Sequence, residues 1–234
     1  MKILAVADIH SQRFQVPEGA EGAEYLIVAG DICAGKGYVP EVKAALEIIA
    51  TQASELGIFR VIISPGNHDI SLEWPLARAE INSHIRALEI KFKLSILIAI
   101  DETVLLDGGI KAFFSAYHRR IGDGNLFAFS YSDEMIKTLF EEMIPLDTNL
   151  LVTHGPPYSI LDWNESEMWD PAEKDHIGCK EYLKFLKRSD HLVKTCIFGH
   201  VHNCGGMKDL VDGIAYHNVA ASRRNRPAQI IFIG

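Results

Sequence analysis

Apolar residues along this chain follow two rhythms in alternation. Lys2–Ala7, Tyr25–Ala29, Val61–Ser64, Ile96–Ile100, Lys111–Ser115, Asn149–Thr153, Thr195–Phe198 and Gln229–Ile233 are short runs apolar at most positions, which predicts strands. Several lack polar alternation altogether, and that implies burial on both faces. Between them lie amphipathic stretches of helical period. Pro40–Leu56 opens with proline in its first turn and closes at Gly57, and Trp74–Leu88, Ser132–Met143 and Cys179–Arg188 predict three further helices. Strand and helix alternate in the first half, while strands and turns dominate the last third, so the reading is an α/β layered architecture. No repeat, low-complexity tract or Ser/Gly-rich linker breaks the pattern, and residues 1–234 read as one domain.

Composition narrows the function classes. A hydrophobic fraction of 48% supplies a core and excludes a disordered chain. The longest apolar run, Leu94–Ile100, falls far short of the roughly 20 residues a bilayer needs. The first seven residues carry one lysine and run into Asp8, which does not read as a signal peptide, so a cytoplasmic location is expected. Cys33, Cys179, Cys196 and Cys204 show no C-x-x-C spacing and read as free thiols. The net charge of −8 excludes a nonspecific grip on nucleic acid and offers no attraction to an anionic substrate.

The informative residues sit just past the predicted strands. Asp8-x-His10 follows the first, Gly30-Asp31 the second and Gly66-Asn67-His68-Asp69 the third; Thr153-His154-Gly155 and Gly199-His200-Val201-His202 follow two later ones. Functional groups of open α/β sheets gather beyond the carboxyl ends of strands, so these segments can meet. Chance would place Gly-His-x-His in roughly 3% of chains of this composition and Gly-Asn-His-Asp in roughly 0.2%. Carboxylate and imidazole donors suit borderline divalent ions such as Mn, Fe, Zn or Co. A set this large suggests two ions about 3.5–4 Å apart, which would turn a shared water into hydroxide and clamp phosphoryl oxygens. Two carboxylates and a hydroxide leave such a pair with a single net positive charge, the attraction that the chain itself lacks.

These five motifs, in this order, resemble the calcineurin-like metallophosphoesterase superfamily across nearly the whole chain. Thr153-His154-Gly155-Pro156-Pro157, Gly178-Cys179 and Phe198–His202 look closest to its MPPED-type branch, which is related to the class III cyclic-nucleotide phosphodiesterases. The resemblance implies a four-layer α/β/β/α sandwich and a dinuclear, metal-dependent phosphoester hydrolase. It implies one ion on Asp8, His10, Asp31 and His202, and a second on Asp31, Asn67, His154 and His200, with Asp31 bridging. His68 would protonate the leaving group after in-line attack by the bridging hydroxide, and Asp69 would orient its imidazole. The ions expected are manganese or an iron/zinc pair.

Within the enzyme class the reading favours phosphodiesters, because Asp31 is followed by Ile32, Cys33, Ala34, Gly35 and Lys36, without the arginine that phosphoprotein phosphatases place there. A phosphomonoesterase on the same site is the alternative. A catalytically silent scaffold on this fold is disfavoured because His68 and every expected ligand are retained. Residues Gly30–Gly37 nearly match a phosphate-binding P-loop, but Gly37 has no hydroxyl for Mg²⁺ and Asp31 brings the wrong charge. The expected substrate is a small phosphoester, with a nucleotide as one candidate, and homo-oligomers are compatible with the reading. Tyr117, His118 and Arg119, with Arg120, follow a strand and are candidates to contact it; Trp163 and Trp169 are candidates to stack on a base.

Overall fold

In the computed structural model, which describes residues 1–119, 127–163, 176–221 and 226–234, the strands sort into two facing sheets. The first contains β1 (Lys2–Val6), β2 (Tyr25–Ala29), β3 (Arg60–Ser64) and β4 (Ser95–Ile98), parallel to one another, with the final strand β13 (Gln229–Phe232) antiparallel on β1. The second is built on parallel β6 (Lys111–Ser115), β9 (Leu150–Thr153), β10 (Thr195–Phe198) and β12 (Ile214–Asn218). Its edges are the antiparallel strands β5 (Glu102–Leu105) and β11 (Lys208–Val211). A two-stranded ribbon pairs β7 (His118–Arg119) with β8 (Ser130–Tyr131).

The period of two along each strand decides the layers. Ile3, Ala5, Ile27, Ala29 and Ile62 of the first sheet pack against Ala112, Phe114, Leu150, Val152 and Ile197 of the second. Their neighbours Leu4, Val6, Leu26, Val28 and Ile63 point outward onto helices α1 (Val39–Glu55) and α2 (Pro75–Phe92). On the far side Phe113, Leu151, Cys196 and Phe198 meet α3 (Asp133–Thr138), the π-helical turn Leu139–Met143 and α4 (Lys180–Leu186). The result is the four-layer α/β/β/α sandwich.

Helix α2 runs four residues beyond the expected stop at Leu88, until Lys93 turns into the left-handed region (φ 53°) and donates its N–H to Glu89. Strands β5 and β11 carry no apolar run because they are solvent-exposed sheet edges, and β12 alternates because it is half-buried. These three escape the apolar-run criterion for that reason. Among the described residues no helix is long and apolar enough to cross a membrane.

The parallel strands of both sheets end at one edge of the sandwich, where the sheets are joined. Ala7 donates its N–H to Val219 and accepts from Ala221, each at 2.9 Å, and Asp8 donates to Gly30 at 2.9 Å. Loops leaving either sheet therefore start within reach of one another.

Candidate metal centre

All seven residues expected as ligands gather at this edge. Asp8 and His10 follow β1, Asp31 follows β2, Asn67 follows β3, His154 follows β9, and His200 and His202 follow β10. Asp8, His10 and His202 form one group, and Asp8, Asp31 and His154 a second; within each, the donor atoms lie within 4.8 Å of one another. Asn67 joins the second group, its Oδ1 lying 2.9 Å from both His154 Nε2 and His200 Nδ1. Asp31 Oδ1 is 3.4 Å from His154 Nε2, and Asp8 Oδ1 is 3.0 Å from His202 Nε2. Asp8, Asp31 and His154 are essentially without solvent contact.

The hydrogen bonds behind the imidazoles decide which way their lone pairs point. His154 Nδ1 lies 2.9 Å from the carbonyl of Ala29, and His10 Nδ1 lies 2.9 Å from that of Cys33. A carbonyl only accepts, so both Nδ1 atoms carry a hydrogen, and in the neutral rings both Nε2 atoms present lone pairs. The His154 lone pair then faces Asn67 Oδ1 and the carboxylate of Asp31, and that of His10 faces His202 Nε2 at 3.4 Å. At His154 an acceptor turned on an amide oxygen and a carboxylate in a buried place calls for a cation between them. This donor chemistry fits the divalent ions that the motifs imply.

A proton on His154 Nε2 answers the same crowding of acceptors in place of a cation. Burial opposes the charge of Asp31, yet His154, His68 and His10 outweigh it and hold the carboxyl well below its usual range. Asp31 thus feels imidazoles of both groups. Burial also opposes charging His154, but Asp31 prevails and raises it to about 9. His200 is driven well below the usual range, first by burial and then by His154 and His118.

The backbone is bent to achieve this convergence. Asp8, His10, Asp31 and His200 all take positive φ, between 46° and 67°, a conformation L-residues rarely occupy and one that clusters where function requires it. Two motif glycines leave space for ligands. A Cβ on Gly30 would stand 2.2 Å from His154 Nδ1, and one on Gly199 would stand 2.3 Å from Asp8 Oδ2. The Gly-Asp and Gly-His pairs therefore serve close packing between loops from opposite sheets.

His68 lies at the rim, its N–H donating to Asp31 Oδ1 at 2.9 Å and its Nε2 3.9 Å from Asp31 Oδ2. The expectation for Asp69 is corrected. Its carboxylate accepts from Gly66 N (2.8 Å), Cys33 N (3.0 Å) and Ile32 N (3.3 Å), so it joins the loops after β2 and β3. The imidazole of His68 is instead held at Nδ1 by the carbonyl of Gly35 at 2.7 Å. Burial and nearby Asp31 raise Asp69 to about 6 against the pull of those amides.

The expected substrate contacts separate. Tyr117 is a core residue, fully buried against Phe140 and Tyr182, and is withdrawn as a contact. The alternation of β6 continues past Ser115 and keeps Tyr117 on the outer face with Phe113. His118 does reach the centre, its ring 5.3 Å from that of His200, with Nδ1 buried and without a hydrogen-bond partner among the described residues. Burial, then His154, lowers it to about 3. Arg119 Nε lies 4.0 Å from the carboxylate of Asp133. Trp163 is half-exposed and accepts at its carbonyl from Cys204 Sγ at 3.6 Å. Arg120 and Trp169 lie outside the described residues. The motifs overlook Phe127, an exposed ring set edge-on to His68 at 5.6 Å.

Comparison with known proteins places the chain in a family. The family model for calcineurin-like phosphoesterases matches residues 1–204, and the chain belongs to that family. It is 29% identical over 207 residues to a probable rhamnogalacturonate lyase C of Emericella nidulans, the match covering 86% of this chain and 17% of that protein. A UPF0046 protein of Caenorhabditis elegans is 27% identical over 215 residues, covering 88% of this chain and 65% of its own length. Human metallophosphoesterase domain-containing protein 1 is 34% identical over 71 residues, which are 30% of this chain and 19% of that protein. The chain thus spans less than two thirds of each of these relatives. A dimetal phosphatase structure from Danio rerio aligns over 97% of this chain and 90% of its own, at 11% identity and a TM-score of 0.47.

Proposed function

We propose that this protein is a dinuclear metal-dependent phosphoester hydrolase that acts preferentially on small phosphodiesters. The observation that carries the reading is the pair of adjoining donor groups, Asp8–His10–His202 and Asp8–Asp31–His154, with Asn67 Oδ1 set against His154 Nε2. The first ion is assigned to Asp8, His10, Asp31 and His202, and the second to Asp31, Asn67, His154 and His200; manganese or an iron/zinc pair suits these donors. Two such ions, when bound, would supply an acidified water as nucleophile and would neutralise charge on the phosphoryl oxygens.

The chain's own residues do the rest. The carbonyls of Ala29 and Cys33 fix the tautomers of His154 and His10, so the ligand set is arranged before substrate arrives. His68 stands outside that set with Nδ1–H on Gly35, leaving Nε2 to carry a proton to a departing alkoxide. The exposed ring of Phe127 stands beside it. The diester preference rests on the residues after Asp31. Ile32 and Cys33 are buried, and the only cation between Asp31 and the first helix is Lys36, a point charge without the fork that grips a dianionic phosphate.

The test is reconstitution of metal-free protein with Mn, Zn, Fe, Co or Mg, assayed on bis- and mono-nitrophenyl phosphate and on cyclic nucleotides. Metal-restored turnover favouring diesters is expected. A preference for monoesters overturns the diester assignment, and no turnover with any loaded pair overturns the hydrolase itself.

A further inference from the structure

The Gly35 carbonyl that holds His68 belongs to a loop restrained from its other side. Ala34, Gly35 and Lys36 are exposed, and a glycine-rich stretch this open does not keep one carbonyl aimed at one ring atom unaided. Its carbonyl side is tied by Ile70 N–H to Lys36 O (3.3 Å) and Ser71 N–H to Gly37 O (3.0 Å). Its N–H side converges on Glu41, in the first turn of α1. Glu41 Oε1 accepts from Gly35 N at 2.7 Å, Ala34 N at 2.8 Å and Ser11 Oγ at 3.4 Å, and Oε2 accepts from Gly37 N at 3.1 Å. The amides of Gly35 and Gly37 bracket the Gly35 carbonyl, so holding both sets its direction. Successive N–H groups of this kind form a nest for an anion. Here the chain's own carboxylate fills the nest, which accounts for a P-loop-like string in a protein of another mechanism.

We propose that Glu41 is a positioning residue for His68, acting through the Gly35 and Gly37 amides to fix the carbonyl that orients the imidazole toward the leaving group. The inference rests on the hydrolase reading above, because it assigns Glu41 to the acid arm of that reaction and to no other part.

The experiment compares Glu41→Gln and Glu41→Ala with His68→Ala in metal-loaded protein, on an alkyl diester and a nitrophenyl diester. Nitrophenolate departs without a proton, so damage confined to the alkyl ester marks the acid arm. A misplacement of about 1 Å can cost about 10²-fold, so kcat on the alkyl ester is expected to fall about 10–100-fold in Glu41→Ala, with KM and the nitrophenyl rate within about 3-fold. Added to His68→Ala, the Glu41 substitution is expected to cost nothing more, since both act on one arm. Metal content is expected to match the unmodified protein. Hydrogen exchange at the Gly35 and Gly37 amides is expected to accelerate in Glu41→Gln, a readout independent of turnover that serves even if Glu41→Ala fails to fold. Equal losses on both esters, full additivity with His68→Ala, or unchanged amide exchange overturns the proposal. If His68→Ala itself lowers both esters alike, the acid role falls and this inference with it. If only the Glu41 variants fail to discriminate, the hydrolase reading stands and the positioning role alone is lost.

Discussion

Replacing Asp69 with asparagine separates two roles that a carboxylate beside His68 can hold. Asp69 is fully buried and accepts three amide hydrogens, from Gly66, Cys33 and Ile32, at 2.8, 3.0 and 3.3 Å. Hydrogen bonds to a charged acceptor contribute about 1.5–3 kcal/mol each, and a buried donor left unmade costs about 1–3 kcal/mol. Asparagine keeps one accepting oxygen and turns its NH2 toward the remaining donors, so at least one amide meets another donor. A loss of about 2–4 kcal/mol is expected, or about 3–5 kcal/mol for Asp69→Ala, which leaves all three amides to whatever water enters. At roughly 2–4 °C per kcal/mol for a chain of this size, Asp69→Asn should melt roughly 5–15 °C early. The assay is thermal unfolding by circular dichroism at pH 8 with a chelator present, which removes stabilisation by bound metal. At that pH the native carboxylate, raised to about 6, is ionised. His68→Ala is the contrast, because its side chain is 28% exposed and makes one hydrogen bond from Nδ1 to Gly35. It should lose about 1 kcal/mol or less and be damaged in turnover instead. If Asp69→Asn melts within about 1 °C of the unmodified protein yet loses alkyl-ester turnover as His68→Ala does, Asp69 works through the imidazole and the loop-joining account is wrong.

Two substitutions test the centre itself. Gly30→Ala places a methyl 2.2 Å from His154 Nδ1 on backbone with φ +96°, and we expect it to cost about 2–5 kcal/mol and to weaken metal binding; a variant with native melting and native metal content would refute the packing argument. Asp31→Asn removes the carboxylate that feels the imidazoles of both donor groups, and we expect elemental analysis to find most of the metal gone; full occupancy would reject Asp31 as the shared ligand.

Much of this molecule was legible in the chain alone, for identifiable reasons. Strands buried on both faces leave apolar runs, so β1, β2, β3, β6, β9 and β10 stand out, as do the apolar edge strands β4 and β13, whereas exposed β5 and β11 leave none. Metal-binding chemistry needs a restricted set of side chains, and each sits immediately past a strand, so Asp8, Asp31, Asn67, His154, His200 and their neighbours declare themselves as a set. Which atoms face which, however, depends on backbone groups that carry no letter in a sequence. The carbonyls of Ala29, Cys33 and Gly35 orient three histidines, and any residue offers a carbonyl. Asp69 adjoins His68 in the chain but turns toward amides on a different loop, while Glu41 reaches that loop across a turn. Tyr117 follows the rhythm of its strand into the core and away from the neighbouring His118. Residue type and strand period are local properties that the chain states directly. Side-chain direction beyond a strand end is settled only when two sheets close on one edge and every buried donor must find its acceptor.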